Sequence, residues 1–240
     1  MRQGKAAATW FARRTFANRR AQAPADATLL LVGRMMSTSA MRSPEEDHLA
    51  TIKDAQFYEE EGKKKRWFYY VDRSGRLFLE DTVPKNIATS LKSGKFLDFF
   101  FRQLRPTNAT TIALHAEYPW ISPCQGEMNF VRAAVTPIVF SHLSDDHKLF
   151  YADSLHVPFR PEDLRIDMVS GMLFHLLRRR KFSALCLIKS QLAVELSASI
   201  QLSEDCEHYQ GQFTWKNKDF PLLPCSADDY ECTYTKKKEE

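Results

Sequence analysis

The chain has 240 residues, 44% hydrophobic and 12% aromatic, enough apolar mass for a packed core and too much for a disordered chain. Its formal charge of +4 is lopsided: of 34 basic and 30 acidic residues, eight and one (Asp26) fall within 1–44, so residues 45–240 carry 26 against 29, a net −3. That removes the charge argument for a body that binds nucleic acid, and no run of about 18 apolar residues offers a membrane-spanning helix.

Residues 1–42 are rich in Arg, Ala, Ser and Thr and nearly free of acids, the composition of a mitochondrial transit peptide. A secretory signal fits worse, because Leu29-Leu30-Leu31-Val32 is too short for its apolar region. The expected location is mitochondrial, the matrix ahead of other compartments, with a disordered leader before the body. A basic tail with no address is the plainer alternative. Residues 43–65 read as a capped helix and a charged connector. Ser43-Pro44-Glu45-Glu46 has the form of a capping box, Leu49 and Ile52 give a thin apolar side, and EEEGKKKR at 59–66 predicts a solvated link.

Residues 66–224 read as one domain. WFYYVD, the turn Arg73-Ser74-Gly75 and RLFLED predict a β-hairpin whose Gly75 takes a positive φ. Behind it, Thr82, Pro84 and then Ile87, Leu91, Phe96 and Leu104 predict helical turns stacked on the hairpin. Residues 110–118 alternate as a strand; Asn108-Ala109-Thr110 is a glycosylation sequon that matters only in a secreted protein. Short runs at 128–132, 137–143, 149–153, 155–159 and 172–177, separated by turn signals, predict an antiparallel sheet or partial barrel. Residues 185–200 satisfy both strand alternation and helical spacing, and read as a helix because no Gly or Pro interrupts them. Residues 213–215 and 219–223 around Lys216-Asn217-Lys218 predict a second hairpin, and 225–240 a polar tail. The fold class is α+β: an antiparallel β-rich body with a hairpin-helix unit at its start and a late helix.

Five candidate chemistries stand beside plainer readings. Cys124 lies in SPCQGE, and a thiolate there, activated by His142, would be a nucleophile; the alternative is a structural Cys in a turn. The other cysteines (Cys186, Cys206, Cys225, Cys232) bring the count to an odd five at irregular spacing, so reduced thiols are expected. His142, Asp145, Asp146, His147, Asp153 and His156 are metal-ligating types within fifteen residues, but their spacing fits no site and Asp-Asp suits a turn. Cys206, His208, Cys225 and Cys232 lack the paired spacing of a zinc site. No metal and no cofactor is expected. Arg178, Arg179, Arg180 and Lys181 form a basic run able to meet a phosphate or an anionic lipid, or simply a solvated loop. Trp67, Phe68, Tyr69, Tyr70 and residues 99–101 could stack bases, and alternating aromatics of a hairpin facing a helix are core.

The blocks RWFYYVDRSGRLFLED, FFFRQLRP, ISPCQGEMNFVR, PIVFSHL, VPFRPEDL and LAVELSA together resemble an uncharacterised family of animal proteins, one of them encoded by an open reading frame on human chromosome eight. The resemblance spans about residues 66–200 and excludes the leader. It implies a mitochondrial protein and carries no activity, cofactor or catalytic residue. The order of hairpin, helices, strands, late helix and terminal hairpin is also similar to a bacterial family of unknown function, which implies a small α+β module with a signalling or binding role and a helix at 187–202. The leading expectation is therefore a non-enzymatic mitochondrial module that binds or assembles with another protein. The competing classes are a thiol-dependent enzyme or redox protein using Cys124 with His142, and an RNA- or anion-binding matrix factor using Arg178 to Lys181. Oligomeric state is open.

Overall fold

The computed structural model describes residues 51–107, 117–180, 182–202 and 211–230, all within the second of the chain's two units, Arg42–Glu240. The leader, the capped helix expected at Ser43 and the sequon lie outside these residues, as does nearly all of the strand expected at 110–118.

Asp54 Oδ1 accepts the Phe57 N–H at 2.8 Å and so opens helix α1 (Ala55–Lys63). The charged run at 59–66 is thus not the solvated link expected from its composition. It is helix and strand, because buried Glu61 takes Lys64 at 2.6 Å and Arg66 at 3.0 Å while Phe57 and Tyr58 lie against Phe68, with ring centroids 5.0 and 5.7 Å away. The predicted hairpin follows as β1 (Arg66–Val71) and β2 (Leu77–Leu79). Asp72 Oδ1 accepts the Ser74 and Arg76 N–H groups, both at 2.9 Å, and Gly75 sits at φ +78°.

The helical turns expected from Thr82 form only from Gly94. Asn86 Oδ1 accepts from Ala88 and Thr89 and bends the chain into a turn, leaving Ile87 69% exposed. Helix α2 (Gly94–Gln103) then begins with a glycine because a Cβ there would collide with the carboxylate of Asp153, an acid well placed at a helix N-terminus. Strands β3 (Arg105–Pro106), β4 (Trp120–Cys124) and β5 (Glu127–Ala133) complete a five-stranded sheet in the order β2-β1-β5-β4-β3.

Next come β6 (Val139–Phe140), β7 (His142–Leu143), β8 (Lys148–Tyr151) and β9 (Leu155–Pro158), then a 3-10 turn at Pro161–Asp163, β10 (Leu164–Asp167), β11 (Leu173–Arg179) and β12 (Phe182–Ile188). The single helix expected at 185–200 resolves into the end of β12, helix α3 (Ser190–Ser197) and β13 (Ile200–Leu202). Both periodicities were present because both structures are. Strands β14 (Gly211–Trp215) and β15 (Lys218–Cys225) form the predicted hairpin, with Lys216 and Asn217 at φ +50° and +61°. The tail expected from Cys225 begins later: Cys225 pairs with Asp167, and α4 (Ala227–Tyr230) follows.

Among the described residues, β7, β8 and β9 make a three-stranded sheet, and a seven-stranded sheet runs β13-β14-β15-β10-β11-β12-β6. The body is α+β, as expected, but its sheets are mixed: β1 with β5, β10 with β15 and β6 with β12 are parallel pairs. The main core takes in Phe100 of α2 and Leu104 just after it, with Tyr69 and Leu77 of the hairpin. Trp120 and Phe182, ring centroids 5.5 Å apart, join the five- and seven-stranded sheets. Each fully buried Phe here stabilises by about 1.5–3 kcal/mol. The aromatic stretch is mostly core: Phe68, Tyr69, Tyr70, Phe100 and Phe101 are buried and Trp67 is partly buried, while Phe99 is 37% exposed.

Candidate functional site

The described surface carries an open groove of about 550 Å³ beside helix α3. Its floor is a row across three strands: Ile166 of β10 faces Leu173 of β11, and since Phe174 faces Leu187 one step on, the row continues to Ile188 of β12. One wall is α3, which presents Ser190, Ala193, Val194 and Ser197, the i, i+3, i+4, i+7 positions of one helical face. These side chains are small, so the wall is low. Ile200 and Leu202 of β13 form a second wall, and Gly171, at φ +69° with open space around its Cβ position, turns the chain at a third.

Arg73 is the charged residue on the lining, and the reason it reaches the groove is Gly75. A Cβ on Gly75 would stand 3.0 Å from Cβ of Val139, so the hairpin tip packs directly on β6 at the edge of the seven-stranded sheet. Val194 is 71% exposed and Leu202 59% exposed at the rim, so the apolar lining of the groove continues out to solvent at two points.

The candidates read from the sequence fall elsewhere. Cys124 ends β4, and its neighbours are Ser122 Oγ at 3.5 Å, Asn129 and Glu127. Burial pushes its thiol up, against the hydrogen bonds from Ser122 and Asn129 and with added repulsion from Glu127. His142 belongs to the three-stranded sheet, where it stacks on Phe150 with centroids 4.5 Å apart and touches Ser141 Oγ at 3.3 Å. Among the described residues neither makes a contact with the other.

The metal-like set is also dispersed. His142 and His156 flank Phe150 from opposite neighbouring strands, His147 turns to Trp215 at 5.5 Å, Asp146 meets Lys148 at 3.4 Å, and Asp153 sits at the start of α2. Of the zinc-like set, Cys225 is a half-buried strand residue whose thiol burial pushes up to about 12, and Cys206, His208 and Cys232 lie outside the described residues. Among the described residues, no three His, Cys, Asp or Glu converge on a possible metal position.

Two members of the basic run are used internally. Arg178 is paired with buried Asp163. Arg179 donates to the carbonyls of Phe101 at 2.9 Å, Arg102 at 3.3 Å and Leu104 at 3.0 Å, which closes the C-terminus of α2. Arg180 is exposed, and the side chain of Lys181 lies outside the described residues.

A buried polar cluster escaped the sequence reading. Glu80, fully buried, accepts from Tyr118 Oη at 2.6 Å and Tyr58 Oη at 3.0 Å, with Arg132 Nε 3.4 Å away. Arg132 reaches on to Glu117 at 2.9 Å, and Glu117 to Lys53 at 2.6 Å. The cluster binds α1 to the five-stranded sheet. Its signal was the Glu inside the apolar strand end RLFLED, a buried charge that demands partners.

A family model described as Domain of unknown function (DUF4505) matches residues 56–224. The match covers the body and leaves out the leader. Among solved structures, a DUF1285 family protein from Silicibacter pomeroyi DSS-3 is similar at 12% identity and a TM-score of 0.40, over 65% of this chain and 79% of that one.

Proposed function

The chain belongs to the DUF4505 family of unknown function, and we propose that it is a mitochondrial binding or assembly module that takes an apolar segment of a partner protein into the groove beside α3. One observation carries this reading: a sheet-backed groove of about 550 Å³ with an apolar floor and two large apolar side chains, Val194 and Leu202, standing exposed at its rim. Apolar side chains exposed beside an apolar floor are surface that the apolar side chains of a partner segment would remove from water. The mitochondrial location is proposed from the basic, acid-poor leader.

The test is the assembly state of the full chain isolated from mitochondria. We expect a complex of defined stoichiometry that dissociates in Val194→Lys and Leu202→Lys and persists in Lys216→Glu, a change in the β14–β15 turn outside the groove. A complex that keeps its partner in both groove variants would overturn the reading. Deleting residues 1–42 is expected to leave the protein in the cytosol; unchanged import removes the mitochondrial part alone.

A further inference from the structure

Strand β13 is the end strand of the seven-stranded sheet, paired to β14 on one side. The Ser199 carbonyl accepts the Thr214 N–H at 2.9 Å. In an antiparallel ladder the main-chain groups of successive residues point to alternate sides, so Ser199 and Gln201 turn toward β14. Ile200 and Leu202 therefore turn their N–H and C=O groups outward, and no described residue pairs with them. The side chains of these same two residues line the groove. Among the described residues, an unpaired strand edge and an apolar trough thus meet along one strand.

That coincidence selects among occupants. A segment laid in helical form, or an alkyl chain, would use the floor and leave the outward main-chain groups of Ile200 and Leu202 unmet. An extended segment uses both: its backbone bonds to the edge, and its alternate side chains fall on the groove face beside Ile200 and Leu202. The low α3 wall, with Ser190, Ala193 and Ser197, leaves room for those side chains above Ile166, Leu173 and Ile188.

Arg73 supplies the charge preference. Among the described residues it has no ion pair or hydrogen bond, and Asp72, the carboxylate next to it in the chain, holds Arg76 at 2.6 Å. An unneutralised guanidinium at the mouth of an apolar groove favours an acid in whatever enters.

Building on the groove reading above, we infer that the occupant is an extended polypeptide segment that adds to β13 as a further strand, carries apolar residues at alternate positions and places an Asp or Glu against Arg73. The experiment is a selection of random dodecapeptides displayed on phage against the full chain, with counter-selection against the Val194→Lys chain. Circular dichroism is used to check that this variant is folded, and Leu202→Lys, also at the exposed rim, serves as a second block.

The selected peptides are expected to alternate apolar and polar residues and to contain an acid. They should bind about fivefold more weakly to Arg73→Glu, the upper range for an exposed ion pair, and recover when their acid is changed to Lys. They should slow hydrogen exchange at the Ile200 and Leu202 amides. Peptides that need the groove but show helical spacing, ignore Arg73→Glu or leave those amides unprotected would overturn the strand inference and leave the groove reading standing. If counter-selection leaves no peptide, or if every peptide it leaves binds Leu202→Lys as well as it binds the native chain, the groove reading itself fails.

Discussion

The guanidinium of Arg179 donates to the carbonyl of Leu104 at 3.0 Å, so a strand residue of the seven-stranded sheet closes the helix that packs against the five-stranded one. The same side chain reaches Phe101 and Arg102 carbonyls and the Tyr151 hydroxyl at 2.9 Å, and places its charge where the helix dipole is negative. Arg179→Ala is expected to destabilise the protein by about 2–4 kcal/mol, since several helix-end carbonyls lose a charged donor. Arg179→Lys should recover less than half, because one ammonium cannot span the same acceptors. Arg180→Ala should change stability by less than about 0.5 kcal/mol. Urea unfolding of the three variants checks the ranking, and equal effects at 179 and 180 would contradict it.

Glu80 gives a pH signature. Desolvation outweighs its two tyrosine donors and Arg132, and holds its carboxyl above the ordinary value of 4.5. Both phenols are held above their usual range, so both remain donors throughout. An acid whose pKa is raised by folding binds its proton more tightly in the folded state. Its contribution is therefore complete below the unfolded value and is lost as the pH rises through the folded one. Glu80→Gln removes this titration. The stability of the native chain relative to Glu80→Gln should rise as the pH is lowered from 7.5 toward 4.5, and a flat or opposite difference in paired urea titrations would refute the assignment.

Cys124 is expected to behave as a hindered, ordinary thiol. Its surroundings favour the protonated form, and His142 lies in another sheet, stacked on Phe150. Alkylation followed by mass spectrometry should show Cys124 reacting only at alkaline pH, with an unchanged profile in His142→Ala. Rapid modification near pH 6 that disappears in His142→Ala would restore the thiol mechanism.

What could be read from the chain depended on how local its cause was. The β1–β2 hairpin and the β14–β15 turn were legible because Gly75 and Asn217 are residue types that accept the positive φ these turns need. SPCQGE reads as a turn because Pro123 and Gly126 break strands; Ser122, Pro123 and Cys124 are nonetheless the end of β4, held by pairing with Asn129, Met128 and Glu127 across a Gln125-Gly126 turn. The charged run ahead of β1 read as a linker because nothing local reveals that Glu61 is buried. Arg178 and Arg179 read as a free basic patch because their partners lie 15 residues away for the first and 28 to 78 away for the second. The groove could not be read at all. Ile166, Leu173, Ala193, Ile200 and Arg73 come from five separate segments and become neighbours only when the sheet is assembled.

Gly75 ties the fold to the groove and gives the last test. Its φ of +78° is strained for any residue with a Cβ, and the added atom would press on Val139 at 3.0 Å, tighter than ordinary contact. Gly75→Ala should therefore cost about 1–3 kcal/mol, the sum of backbone strain and local displacement. The strained tip must also lift from β6, and Arg73, two residues before it, must move with it. The expected result is a double effect: lower stability in urea, and loss of the Arg73-dependent part of peptide binding while the Val194-dependent part remains. Binding measured by fluorescence anisotropy on Gly75→Ala, Arg73→Glu and the double variant separates the two. If the double variant binds no more weakly than either single one, the hairpin tip acts through Arg73; additive losses would show that Gly75 supports the groove by some other route.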